Sequence, residues 1–300
     1  MAGGRAEKIN FMRASSLERD TLQALESRLP DLRRQWSRSQ PFHWAVIEDF
    51  LPLEHAERVY EAYPQPDDDR WDHTTYMHQK GKYTKTQGFE GVLADFFDFS
   101  ASPSLLAWLE KLTGIESLIS DPSLAGGGLH SSSTGGFLDI HIDYNRHPKF
   151  KWHRRLNLIL YMNKDWKPEY NGQLELWDLR GRKKQKLEEV FPHFNTAVIF
   201  ETNGISYHGH PHRVNCPASM NRQSLALYYY TEGRDDDWAD ADEHNTIYRQ
   251  TNGISGYLKT SASAMSAGVE RINDVGIGAT ARHVLHRLTR GIMGKPPENR

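Results

Sequence analysis

The chain has 300 residues, and its 37 Lys and Arg against 39 Asp and Glu leave a formal charge of −2, without the basic field that draws a protein to nucleic acid. Hydrophobic residues make up 38% and aromatics 11%, enough for a core, yet no apolar run approaches the ~20 residues of a membrane-spanning helix. The single Cys216 cannot form an internal disulfide, and the polar opening MAGGRAEKIN lacks an apolar signal segment, so the expected setting is the cytoplasm, away from membranes and nucleic acid.

Leu17, Leu22, Leu25 and Leu29 recur at helical spacing, predicting a helix over residues 16–29 that Pro30 ends or kinks. Residues 41–50 are aromatic and β-branched and read as a strand, and helical spacing returns over 52–63. Residues 71–91 show no sustained period and read as an extended loop. Helices follow over 93–99 and 103–112, the latter with Ser102 as its cap and Pro103 in its first position. From Gly126 the texture changes to short apolar or alternating runs broken by Gly, Asn, Asp and Pro. Strands are expected over 128–132, 137–142, 155–161, 173–177, 187–191, 196–201, 206–214 and 223–230, with turns at Asn171-Gly172 and Asn203-Gly204. Gly126, Gly127 and Gly128 read as turn glycines, since no phosphate-loop Lys-Ser/Thr follows them.

This pattern is mainly β with a helical N-terminal part, an α+β chain in which eight short strands suit a two-sheet jelly roll with a mouth for a ligand. It divides into a helical region 1–117, a β-rich domain 118–231, and a segment 232–300 with an acidic loop at 235–237 and a short basic helix over 281–292.

More than half of the 15 histidines lie between His130 and His212, among the strands. In DIHIDYN, His141 and Asp143 stand two apart, so on a strand they project to one face and can grip one ion. His208, His210 and His212 in SYHGHPHRV are available as a third ligand. His208 is selected because it follows the Asn203-Gly204 turn, on the rim where the 137–142 strand ends. Two histidines and a carboxylate form the facial triad of non-haem Fe(II), with positions left open for co-substrate and oxygen. Arg222 and Ser224 also stand two apart, a guanidinium fork and a hydroxyl suited to a carboxylate. His130, His147, His153 and His193 read as rim or packing residues, because one mononuclear site needs only two histidines.

The runs GGFLDIHIDYN, RRLNLILYMNKDW, NGQLELWD, SYHGHPHRV and NRQSLALYYYT, in this order, resemble the catalytic domain of the 2-oxoglutarate- and Fe(II)-dependent dioxygenases, in the prolyl 4-hydroxylase-like branch. The resemblance covers about residues 118–231 and implies a double-stranded β-helix, the cupin-like jelly roll. It implies Fe(II) on His141, Asp143 and His208, with 2-oxoglutarate and O2 as co-substrates and Arg222 with Ser224 on the distal carboxylate. Relatives often carry an early-strand tyrosine that reaches the co-substrate; here Ser132 and Arg155 stand in that neighbourhood, and Asn157 and Tyr161 are further polar candidates for a co-substrate or substrate contact. The implied activity is hydroxylation of an unactivated C–H bond, with a prolyl residue of a protein or peptide as first substrate and a free amino acid or small biosynthetic intermediate as alternative. Asp143 favours hydroxylation over halogenation. Family members close their mouths with outside segments, so the 71–91 loop is expected to act as a lid. A zinc-dependent hydrolase using the same triad, which leaves Arg222 and Ser224 without a role, and a non-catalytic jelly-roll binding module, in which the histidines are packing or sugar-contact residues, are the other classes.

Overall fold

The computed structural model describes residues 15–65, 71–76 and 79–249; the helix expected over 281–292 lies outside them. The first helix, α1 (Ser16–Arg38), is capped by the Ser15 side chain and does not stop at Pro30. An internal proline costs about 3 kcal/mol, but Leu32 and Trp36 extend the buried stripe of Leu25 and Leu29, each worth about 1.5–3 kcal/mol on burial. Tertiary packing therefore outweighs the local signal. Then come β1 (Trp44–Ile47), α2 (Leu53–Glu61), β2 (Asp72–Tyr76), β3 (Gln79–Lys85), α3 (Gly91–Ser100) and α4 (Pro103–Thr113), and Ser102 caps α4 by accepting from the Leu105 amide as expected. No described helix is long and apolar enough to cross a membrane.

The β-rich part contains β4 (Ile119–Ser120), β5 (Gly128–Ile142), β6 (His153–Tyr161), β7 (Leu174–Asp178), β8 (Gln185–Val190), β9 (Thr196–Glu201), β10 (Tyr207–His210), β11 (Arg222–Thr231) and β12 (Ile247–Tyr248). All pairings are antiparallel, and the sheet, in the order β1-β9-β6-β11-β5-β10-β7-β8, curls into a nearly closed barrel, as the jelly-roll expectation required. Three expectations are corrected. The strands expected over 128–132 and 137–142 are one 15-residue strand, irregular at 133–136, where Gly135 takes a positive φ and the pairing with β3 shifts register between Ser132 and Phe137. The strand expected over 206–214 ends at His210, because Pro211 has no N–H to continue the pairing. The extended loop expected over 71–91 is instead the β2–β3 hairpin, and β3 pairs with β5 from Gln79 opposite Leu138 to Lys85 opposite Leu129.

Period-two alternation gives the wall two different faces. Leu156, Leu158 and Leu160 of β6 and Leu225, Leu227 and Tyr229 of β11 point outward into a core shared with α1, α3 and α4. Asn157, Ile159, Arg222, Ser224, Ala226 and Tyr228 point inward and line a cavity. Two hydroxyls tie the helical side to the wall: Tyr63 lies 2.7 Å from the His130 carbonyl and 2.8 Å from that of Ser224, and Tyr229 donates to the Ser100 carbonyl at 3.1 Å.

Gly128 shows how closely the hairpin sits. Its φ is +87°, and a Cβ there would meet the Lys85 carbonyl oxygen at 2.2 Å. Gly135 has a similar φ of +83° with nothing near its missing Cβ. Gly128→Ala is therefore expected to destabilise the protein by about 1–3 kcal/mol more than Gly135→Ala, the difference being the clash and not the shared backbone strain. Urea denaturation midpoints of the two variants check this; equal midpoints would contradict the close β3–β5 approach.

Candidate active site

The β5–β10 ladder sets His208 opposite His141, with their ring centroids 4.4 Å apart. Asp143 follows the end of β5, and its carboxylate oxygens lie 3.5 Å from His141 Nε2 and 3.4 Å from His208 Nε2. One ligand atom from each of the three falls within 4.8 Å of the others, the only such cluster among the described residues. His210 lines the same cavity outside this cluster, and the His212 side chain is 54% exposed and reaches Glu175 on the outside.

The imidazoles are oriented by their own strands. His141 Nδ1 lies 2.8 Å from the Asp139 carbonyl and His208 Nδ1 lies 2.9 Å from that of Ser206. A carbonyl only accepts, so both Nδ1 atoms carry the proton and both Nε2 lone pairs face the centre. Burial pushes the His141 pKa down, aided by His208 and opposed by Asp143, so the ring stays neutral. Burial alone would raise the Asp143 carboxyl, but the Arg154 charge beside it outweighs burial and holds the group well below the ordinary carboxylate range. Arg154 NH2 lies 3.0 Å from Asp143 Oδ2, and Asn157 Nδ2 donates to the same oxygen at 2.8 Å. Arg154 in turn donates to Asn157 Oδ1 at 2.7 and 3.1 Å, and its guanidinium lies over the rings of Tyr228, at 3.5 Å, and Tyr144, at 4.6 Å. The donor set fits a divalent cation: two imidazole nitrogens and one ionised, oriented carboxylate.

Arg222 opens β11 and is 6% exposed. Its Nε donates to the Gly172 carbonyl at 2.5 Å and its NH2 to the Tyr161 hydroxyl at 3.3 Å. Gly172 has φ +81°, and a Cβ there would stand 2.9 Å from Arg222 Cδ, so glycine at this turn makes room for the arginine. Ser224 lines the cavity two residues on. Of the polar candidates, Asn157 is engaged with Asp143 and Arg154 at the triad, whereas Tyr161 is engaged with Arg222. Ser132 lines the cavity, while Arg155 turns away to Thr231 and Asp236.

The cavity, of about 330 Å³, unites the triad, Arg222 and Ser224. It also contains residues that the sequence reading did not place there: Lys82 of the hairpin, Arg154, His130, His210, and Thr246 and Tyr248 from beyond residue 231. Tyr248 stands opposite His141 in the β5–β12 pairing, with ring centroids 5.4 Å apart. Asp143 is the only carboxylate among the described lining residues, against three cations, Lys82, Arg154 and Arg222. His130 and Ser132 have the opposite parity to His141 and Asp143, so unbroken period-two alternation along β5 would turn them outward; they face the cavity because the strand is irregular between Ser132 and Phe137, where the β3 register shifts, and nothing in the 71–91 pattern signals Lys82.

Burial, with Lys82 next, drives the His130 pKa well below its ordinary 6.5, and burial with Arg222 and Lys82 does the same to His210. Both are neutral when folded and take a proton when unfolded below about pH 6.5. The unfolded state then binds more protons, so this stability is full above about pH 6.5 and is lost as pH falls below it. The metal-free protein is accordingly expected to lose stability between about pH 7.5 and about pH 5.5, with a shallower loss in His130→Asn, measured by urea midpoints; an unchanged slope would place His130 outside this linkage.

The family model described as the 2OG-Fe(II) oxygenase superfamily matches residues 127–230. No curated protein matches the chain. Among solved structures, a Pseudomonas putida prolyl-4-hydroxylase is 18% identical, with 67% of this chain and 100% of that one covered and a TM-score of 0.48. A Trichoplax adhaerens prolyl hydroxylase in complex with a hypoxia inducible factor peptide fragment is 17% identical, over 70% of this chain and 92% of that one, at a TM-score of 0.45. The epimerase SnoN, in complex with Fe3+, alpha ketoglutarate and nogalamycin RO, is 12% identical, over 76% of this chain and 97% of that one, at a TM-score of 0.47.

Proposed function

We propose that this chain, whose residues 127–230 match the 2OG-Fe(II) oxygenase superfamily, is a 2-oxoglutarate-dependent non-haem iron dioxygenase that hydroxylates an unactivated C–H bond of a prolyl residue in a protein or peptide. The observation that carries the site assignment is the meeting of His141, Asp143, His208 and Arg222 in one cavity. A zinc hydrolase or a binding module has no use for the carboxylate anchor, and the family match over residues 127–230 supports the dioxygenase reading over both. The prolyl choice follows the likeness of the runs from GGFLDIHIDYN to NRQSLALYYYT to the prolyl 4-hydroxylase-like branch.

In this reading His141 and His208 offer Nε2, and Asp143 offers its carboxylate, to Fe(II). Arg154 and Asn157 keep that carboxylate ionised and aimed, so the ligand set is arranged before metal enters. Arg222, steadied by Gly172 and Tyr161, holds the distal carboxylate of 2-oxoglutarate, with the Ser224 hydroxyl beside it. When bound, Fe(II) with 2-oxoglutarate and O2 supplies the oxidising power, giving succinate, CO2 and the hydroxylated product. The rings of Tyr144 and Tyr228 and the side chains of Ile159 and Leu174 line the cavity, limit water and orient the target C–H bond.

His141→Ala and Asp143→Ala are each expected to abolish iron retention and turnover, whereas Arg222→Ala should retain iron and raise the 2-oxoglutarate requirement roughly 10- to 150-fold, the loss of one charge-assisted pair. Iron content and succinate formation against 2-oxoglutarate concentration check these. Mass spectrometry for a gain of one oxygen on proline-containing peptides, and on free amino acids beside them, tests the substrate. Oxygen on a free amino acid and on none of the peptides would contradict the prolyl assignment.

A further inference from the structure

Two rungs run across three neighbouring strands of the barrel wall. Lys82 of β3 stands opposite Ser132 of β5, which stands opposite Arg222 of β11; one step along, Thr84, His130 and Ser224 align in the same way. All six side chains line the cavity. Lys82 and Arg222 thus flank Ser132 on one face of the sheet, two strand spacings or roughly 9.5 Å apart at the backbone, a gap that two long cationic side chains close on a single carboxylate.

The groups around Lys82 show what it lacks. Its ammonium feels the pull of Asp143 and the push of Arg222 and Arg154, and burial carries it down to about 8. Asp143 is already in contact with Arg154 and Asn157. Among the described residues no carboxylate comes within ion-pair distance of Lys82. Arg222, for its part, has committed Nε to Gly172 and one NH2 contact to Tyr161, leaving only part of its fork for a ligand. A half-buried ammonium that faces two guanidinium groups across one cavity is costly unless an anion joins it.

We propose that Lys82 is a second anchor for the co-substrate, closing with Arg222 on the distal carboxylate of 2-oxoglutarate across the Ser132 hydroxyl. This rests on the dioxygenase reading above and adds a residue from the hairpin, outside the family-matched segment 127–230. A clamp with two cations makes the site discriminate by the second carboxylate: 2-oxoglutarate gains both contacts, while pyruvate, with the same 2-oxo acid head and no distal carboxylate, gains neither. The other source of a carboxylate for Lys82 is the substrate to be hydroxylated, and the experiment separates the two.

The test is anaerobic titration of the full-length Fe(II) protein with 2-oxoglutarate, and separately with pyruvate, followed by the visible charge-transfer band of the chelate. Lys82→Met is expected to weaken 2-oxoglutarate about tenfold or more and to leave pyruvate within about twofold of the unmutated protein, while Lys82→Arg keeps most of the 2-oxoglutarate affinity. Unchanged 2-oxoglutarate affinity in Lys82→Met overturns the proposal and gives Lys82 to the substrate. An equal loss for both acids overturns it as well, because Lys82 then acts at the metal end. Absence of the band in the unmutated protein brings down the dioxygenase reading instead. A second measurement needs no variant: with Fe(II) present, 2-oxoglutarate and not pyruvate should shield Lys82 from acetic anhydride, scored by peptide mapping, and equal labelling under both acids counts against the clamp.

Discussion

The alternation of β6 and β11 between an aliphatic face and a polar face is the constraint on which the rest of the molecule depends. Leu156, Leu158, Leu160, Leu225 and Leu227 are held by α1, α3 and α4, and a slip of one residue would carry all of them into the cavity and expel Asn157, Arg222 and Ser224. The helical layer therefore does more than cover apolar surface. It locks the register that keeps the polar set inward, and the Tyr63 and Tyr229 hydroxyls fasten that register at the backbone.

Inside the wall, charge replaces hydrophobicity as the organising force. The three cations and one carboxylate among the described lining residues of a cavity of about 330 Å³ are expensive in isolation. Arg154 is compensated at home, by Asp143, Asn157 and two tyrosine rings, and its position serves the triad. Among the described residues, no carboxylate pairs with Arg222 or Lys82. That imbalance suits a dianionic oxo acid spanning from the metal ligands to the far rung, where affinity comes from relieving a desolvation cost already present in the fold.

Much of this site was legible from the sequence because strand chemistry has period two. His141 with Asp143, and Arg222 with Ser224, are i, i+2 pairs whose shared face follows from the strand alone. His208 followed from its place after a turn, and the structure separates it from His212, which Pro211 releases from the ladder. What stayed hidden has physical reasons. The β2–β3 hairpin carries no apolar alternation to announce it, because β3 turns Gln79, Lys82 and Thr84 into a polar cavity, and so its lysine was invisible. Pro30 marked a helix end that the buried face of Leu32 and Trp36 overrode. Thr246 and Tyr248 reach the cavity through a two-residue strand after an acidic stretch, a return that no local pattern encodes.

The most direct measurement is a crystal structure of the full-length protein grown anaerobically with Fe(II) and 2-oxoglutarate. The account predicts one iron on His141 Nε2, Asp143 and His208 Nε2, chelated by the 2-oxo acid head, with the far carboxylate between Arg222 and Lys82. Iron held by another histidine set, or 2-oxoglutarate bound away from Arg222, would contradict it.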